Sequence, residues 1–443
     1  MKEENSNNEV DVYYGHDKNV NCKLHIIPLC LNSIMIDTPI KIIYDKEIPF
    51  LFFDEISLKN KVYHLDNDKT LLANDIIFSS FYLLTGWNEK FINRDKKDRH
   101  NIQQSFLYQN NLLHTPIVNK YADILLNVFS KSHRPLPSWP YGKKYAVALS
   151  HDIDYPVMIK WIEAIRYCTK NKPNINPVKI FDILFGKETF WNFEKCMKLE
   201  TTYCLKSAFY FCGYKGNLLR YLLYAPDPFY DVSGKKFSQV FETLKNHGFE
   251  IGMHASYLAY KSVNSFKAEK QKIESVLGKN ITGNRHHYWH WNQDDAAQTS
   301  AIHNEIGLVY DSSICFEKHS GFRYGISSPF HLYDSNTSSR VDTLQLPPSL
   351  MDAQLFDFRK ESKFTKYEDM IDSLINNARS SSGVFVVDFH PRTLNNTLFP
   401  EWGDSYKYLL NAVCKNDDFF CDTPGGIANY WLEREKKLLE ASR

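Results

Sequence analysis

The sequence predicts an α/β fold: a parallel sheet curled into a distorted seven-stranded (β/α) barrel with helices outside it, preceded by a smaller α+β block. Compact apolar runs recur at residues 145–150, 207–212, 249–253, 281–286, 308–310, 343–346 and 384–389. They are apolar along their length rather than alternating, as strands covered on both faces must be. Between several of them lie stretches of helical periodicity, at 237–247, 266–277, 294–305 and 367–378. Repeated strand and helix in alternation argues for a parallel sheet, and this number of units suits a barrel better than an open sheet.

The first block, residues 1–135, has a different texture. Short β-like runs at 25–29, 40–44 and 50–53 are followed by a helical stretch at 75–87, a polar segment at 88–104 and a second helix at 116–129. Residues 132–142, SHRPLPSWPYG, carry three prolines and a glycine and form the best linker in the chain. The sequence is therefore read as an N-terminal accessory α+β domain over 1–135 and a barrel domain over 143–443.

Composition narrows the function. Lys+Arg total 53 against Asp+Glu 52, a formal charge of +1 that gives no general attraction to nucleic acid or anionic lipid. Hydrophobic residues at 43% supply a sizeable core, and 15% aromatics either fill it or line a sugar-binding cleft. The nine cysteines are scattered with no Cys-x-x-Cys pair, which suits reduced thiols in a cytoplasmic protein. The polar N-terminus lacks the pattern of a secretory signal, and no apolar window is long enough to span a bilayer.

Polar residues gather where the strands end. Asp152 and Asp154, His254, Arg285 with His286 and His287, Asp311, and His390 each follow an apolar run. In a parallel barrel these ends converge on one face, where active sites are built. Any one of them is more often a satisfied structural residue, and an Asp–Arg–His network tying loops together is the plain alternative. Asp and His are also the usual ligands of a catalytic zinc. Asp152 and Asp154, spaced i and i+2, point to the same side of a strand, so one can bind metal while the other takes a proton. Arg285 can orient the base carboxylate, and His390 can protonate a leaving group.

These residues resemble the polysaccharide deacetylases with a NodB-homology domain, carbohydrate esterase family four. LSHDIDYP stands where that family has its paired aspartates, EIGMHASY at its metal-histidine motif, GNRHHYW at its arginine motif, and VVDFHP at the late motif with the catalytic histidine. A divergent branch associated with surface-polysaccharide biosynthesis is closer, sharing His151 to Asp154, Gly252 to Ser256, Arg285 to His287, Gly321 to Phe330 and Leu350 to Asp352, with an N-terminal region like residues 75–87 followed by DRH. The resemblance implies catalytic Asp152, His390 and Arg285, with Asp154 and His254 as ligands of a divalent metal, zinc foremost, with cobalt or nickel as alternatives. Two departures stand out. Ile153 separates the aspartates, which leaves their roles exchangeable, and Leu258 occupies the place of the second metal histidine. His287 is the replacement expected here, ahead of His286 or His151. Tyr288, Trp289, Asp311 and Arg323 are the expected substrate-binding residues.

Three functions fit this reading. The first is a metal-dependent hydrolase removing N- or O-linked acetyl from a carbohydrate in surface polysaccharide or glycolipid biosynthesis. The second is hydrolysis of another amide, or a sugar modification, on the same barrel. The third is a non-catalytic glycan-binding relative, with Tyr288, Trp289 and Trp291 as stacking surfaces.

Overall fold

The computed structural model describes residues 10–17, 20–29, 38–39, 41–53, 63–66, 69–72, 74–94, 100–129, 136–217, 227–359 and 362–441. The start of the expected linker at 132–135, and part of the polar segment with Asp98 and Arg99 of the DRH motif, lie outside these residues. The chain divides into two compact units, one of residues up to 138 with 324–326, the other of 139–323 with 327–443.

In the first unit, β1 (Val10–Tyr14), β2 (Cys22–Ile26), β5 (Tyr63–Asp66) and β6 (Lys69–Leu72) form a sheet of order β1-β2-β6-β5. A separate antiparallel hairpin joins β3 (Lys41–Asp45) to β4 (Ile48–Phe52). Helix α1 (Ile76–Leu84) starts at Asp75, whose Oδ1 accepts the Phe78 amide at 2.8 Å, a side-chain N-cap. Helix α2 is the single turn Phe106–Gln109. Helix α3 (Ile117–Phe129) is fastened to β4's entry by Tyr121, which donates to the Pro49 carbonyl at 2.7 Å.

The second unit carries a larger sheet. Its strands are β7 (Tyr145–Ile153), β8 (Ser207–Phe211), β9 (Glu250–Ala255), β10 (Gly283–His286), β11 (Tyr310–Asp311), β12 (Phe330–Asp334), β13 (Ser339–Gln345), β14 (Leu350–Met351), β15 (Val384–Asp388) and β16 (Phe419–Cys421). The pairing path is β12-β13-β11-β10-β9-β8-β7-β15-β14, with β16 also on β7. Only the β12–β13 pair is antiparallel. The sheet thus has ten strands where the sequence reading expected seven. No pairing joins β12 to β14 among the described residues, so the curl is left open instead of closing into a full barrel. All seven expected strands are present. The three additions escaped pattern reading for physical reasons: β14 and β16 are two and three residues long, and β12 is a part-exposed edge strand.

Helices α4 (Lys160–Lys170), α5 (Pro177–Phe185) and α6 (Phe193–Thr202) follow β7, and α7 (Lys235–Asn246) follows β8. Next come α8 (Val263–Leu277), α9 (Ala296–Glu305), α10 (Asp352–Phe356), α11 (Tyr367–Ser380), α12 (Trp402–Cys414) and α13 (Pro424–Ala441). The alternation along β7 explains the layering. Val147 and Leu149 face a cluster with Leu374 and Ile375 of α11 and Leu409 and Leu410 of α12. Ala146 and Ala148 face the other way, onto Ile427 and Ala428 of α13. Continuing that second face by two-residue steps brings the chain to Asp152, and the same step on β15 carries Val384 and Val386 to Asp388. The strand period therefore delivers carboxylates to the carboxyl end of one face. Gly252 and Gly283 leave the room this face needs, since a Cβ there would meet the Tyr210 ring at 2.5 Å and the Tyr310 ring at 2.2 Å.

No helix of the described residues is long and apolar enough to cross a membrane.

Candidate active site

Four strand ends meet at one carboxylate. His254, on β9, places Nε2 3.2 Å from Asp154 Oδ1, and His287, just after β10, places Nε2 3.4 Å from the same oxygen. His390, just after β15, reaches Asp154 Oδ2 from the other side, its Nε2 at 3.2 Å. Asp152 lies alongside, its Oδ2 3.8 Å from His254 Nε2. These residues line a cavity of about 810 Å³ whose walls include Tyr155, Tyr288, Trp289 and Arg392.

The backbone is bent sharply to make this site. Tyr288 and Trp289, directly after His287, have φ of 57° and 53°, a left-handed conformation that side chains other than glycine adopt at a cost.

Each working group is held from behind. Arg285, fully buried, donates from Nη1 to Asp152 Oδ1 at 3.0 Å, from Nε to the Ser312 carbonyl at 3.0 Å and from Nη2 to Ser312 Oγ at 2.9 Å. The same Nη1 lies 3.3 Å from Asp388 Oδ1, so one guanidinium bridges two carboxylates. Asp352 binds His390 twice, its Oδ2 accepting the His390 amide at 2.8 Å and its Oδ1 facing the ring Nδ1 at 3.0 Å. Thr393 adds a third donor to Asp352 at 3.2 Å.

The electrostatics follow from these pairs. Burial pushes Asp154 up, but the His287 and His390 imidazoles and the hydrogen bonds of His254 and His390 hold it well below the usual carboxylate range. Burial works against a charged His390, yet Asp352, Asp388 and Asp154 hold its pKa well above the ordinary imidazole value. Asp388 moves the other way: burial and the neighbouring Asp152 push it up to about 7.

The donor set fits a divalent metal. His254 Nδ1 faces the Arg285 carbonyl at 2.9 Å, which fixes the proton on that nitrogen. In the neutral ring Nε2 is then a lone pair, and it points at Asp154 Oδ1, another lone pair. A proton or a cation must sit between them. Two ligand atoms each about 2.1 Å from a tetrahedral zinc lie about 3.4 Å apart, which is the spacing His254 and His287 keep from Asp154. Ligand atoms of Asp154, His254 and His287 all lie within 4.8 Å of one another. Behind His287, Asp227 Oδ1 stands 3.9 Å from Nδ1, the place a supporting carboxylate takes behind a metal histidine.

Residues 2–134 match the model of a family of unknown function, DUF7033. No curated protein matches the chain. Among solved structures, a Mycobacterium smegmatis protein described as a polysaccharide deacetylase is 17% identical, with a TM-score of 0.44, over 68% of this chain and 95% of its own. PuuE allantoinase is 12% identical, with a TM-score of 0.43 over the same shares of the two chains. Peptidoglycan deacetylase PdaC from Bacillus subtilis is 13% identical, with a TM-score of 0.33, over 69% of this chain and 98% of its own. Likeness at this level says nothing of the reaction, which has to be read from the side chains.

Of the residues expected from sequence, Asp152, Asp154, His254, His287, His390, Tyr288 and Trp289 line the one cavity. Arg285 supports it from beneath. Asp311 and Arg323 are outside the cavity lining. Asp311 accepts from Asn284 at 2.7 Å and from Ser313 Oγ at 2.8 Å, and Arg323 donates to the Cys315 carbonyl at 2.8 Å while lying over the Trp291 ring. His286 turns to the opposite face of β10, its Nε2 2.9 Å from His303 Nε2. His151 points away as well, its Nε2 2.6 Å from the buried Glu200.

Of the polar residues around Asp154, Asp388, Asp227 and Arg392 were not singled out from sequence, and Asp352 entered only as the end of the Leu350 to Asp352 motif, with no role given. Asp388 was accessible, since it stands two residues before His390 on a strand and shares its face. Asp352 follows β14, a strand too short to show a period. Asp227 lies in a loop and Arg392 in the 3-10 turn Pro391–Leu394, and neither carries a local signal.

Proposed function

We propose that the chain is a metal-dependent hydrolase that removes an acetyl group, N- or O-linked, from a carbohydrate. The observation that carries this reading is the meeting of Asp154, His254 and His287 in a metal-ligand arrangement, with Asp152 and His390 on either side of it. The order of the motifs along the sequence supports the acetyl group and the sugar as substrate.

Asp154, His254 and His287, which line the cavity, would hold the metal, zinc foremost. When bound, the cation supplies Lewis acidity toward the acetyl carbonyl and the attacking water. Asp152 takes a proton from that water. The Arg285 guanidinium keeps its carboxylate aimed through a charge-assisted hydrogen bond. His390, kept protonated by Asp352, gives a proton from Nε2 to the departing amine or alkoxide. Tyr288 and Trp289, on the strained turn, offer rings to the sugar. The protein is read as acting inside the cell, in surface-polysaccharide or glycolipid assembly.

Zinc- or cobalt-loaded protein should release acetate from acetylated amino sugars or oligosaccharides. Asp152→Asn should stop release while metal content stays near one equivalent. Absence of acetate from a broad panel, with bound metal confirmed, would remove the acetyl part of the reading.

A further inference from the structure

The wall of the catalytic cavity carries the cations Arg166, Lys170, Lys179 and Arg392. Two of them are committed to carboxylates. Arg166 Nη1 lies 2.6 Å from Glu163 Oε1, and Lys170 Nζ lies 3.6 Å from Asp357 Oδ1. The other two lie over tyrosine rings instead, the Arg392 guanidinium 4.8 Å from the centre of Tyr155 and Lys179 Nζ 5.5 Å from that of Tyr167.

Arg392 is the one beside the chemistry, on the turn Pro391–Leu394 directly after His390. Its Nε is buried with no hydrogen-bond partner, and among the described residues no carboxylate stands at ion-pair distance from the guanidinium. Asp154 and Asp352 favour its charge from farther off, but both are already engaged, Asp154 with three imidazoles and Asp352 with His390 and Thr393. Phe190, Phe193 and Pro391 back it in a narrow crevice and offer no side-chain acceptor. A guanidinium drawn out of water is costly until its N–H groups find acceptors. Stacking on Tyr155 steadies the plane of the group and leaves the N–H edge for a ligand. That edge is a fork whose spacing matches the two oxygens of a carboxylate or a phosphate.

We propose that Arg392 binds an anionic group, a carboxylate or a phosphate, carried by the sugar that enters the cavity, with Lys179 as a second cation on the same wall. The substrate is then an acidic glycan and not a neutral one. That the ligand is a sugar rests on the hydrolase reading; that it is an anion rests on Arg392.

The test is calorimetric binding of three probes to the full chain: N-acetylglucosamine, its 6-phosphate, and N-acetylmuramic acid, which adds a carboxylate. At least one acidic probe should bind about tenfold or more tighter than the neutral sugar, and whichever gains names the anion. Arg392→Gln should remove that preference and leave the neutral sugar's affinity nearly unchanged, while Arg392→Lys, which keeps the charge and loses the fork, should retain part of it. Melting temperatures of both variants are measured alongside. Equal or absent binding of all three probes overturns the proposal. So does a preference that Arg392→Gln retains, since the anion would then be held elsewhere, at a bound metal for example. Binding is read without turnover, so the two readings fail separately. A chain that prefers acidic sugars but releases no acetate fails only as a hydrolase, and one that releases acetate from neutral sugars with no preference fails only here.

Discussion

Asp352→Asn tests the most specific feature of the site, the two-point hold on His390. The carboxylate accepts from the His390 amide and Thr393 Oγ1 with Oδ2 and pairs with ring Nδ1 through Oδ1. Asparagine has the same shape and keeps an oxygen for the two neutral donors, so folding should be nearly unaffected. What it removes is the negative charge beside the imidazolium, and it turns an acceptor facing Nδ1 into a donor. A hydrogen bond to a charged group is worth about 1.5–3 kcal/mol, which at about 1.4 kcal/mol per decade is roughly a ten- to hundredfold loss in kcat. The sign for pH follows from the same contact. Asp352 raises the His390 pKa, so losing it lowers that pKa and moves the alkaline limb of the kcat profile toward acid. The assay is acetate release by metal-loaded protein across pH, with KM measured separately. A variant with unchanged kcat and an unmoved alkaline limb would refute the role given to His390 and to Asp352 behind it.

Three further outcomes follow from single contacts. His287→Ala should lower bound zinc well below one equivalent while His286→Ala leaves it intact, because only His287 faces Asp154; metal analysis of both reads this directly. Glu200→Ala should strip the partner from His151 and from the Tyr406 hydroxyl, both at 2.6 Å in a fully buried position, costing about 3–5 kcal/mol of stability by thermal or denaturant unfolding. Glu269 is pushed up to about 7 by burial, against hydrogen bonds from the Ser256 amide and hydroxyl. Its folded form binds a proton more tightly than the unfolded chain, so stability is lost as pH rises from about 4.5 to about 7, by about 3 kcal/mol in all. Glu269→Gln should flatten that window, and an unchanged stability–pH curve would discount the buried carboxyl.

Much of this protein was legible in one dimension. Strands apolar over their whole length specified a covered parallel sheet, because period and burial are local consequences of the pleat. Polar residues at their ends located the active face, and the i, i+2 step between Asp152 and Asp154 gave them a common side. Closure was not legible. Whether a curled sheet meets itself depends on edge strands such as β12 and β14, too short or too exposed to leave a pattern. The partners were hidden for a related reason. His286 and His287 are adjacent in sequence, and the alternation of β10 with the turn at Tyr288 sends one into the helix layer and the other to Asp154. Asp352 and His390 are joined only because β14 and β15 pair side by side. The sequence alone determined which residues stand at strand ends, a matter of period; which of them touch was decided by register and by where the chain turns.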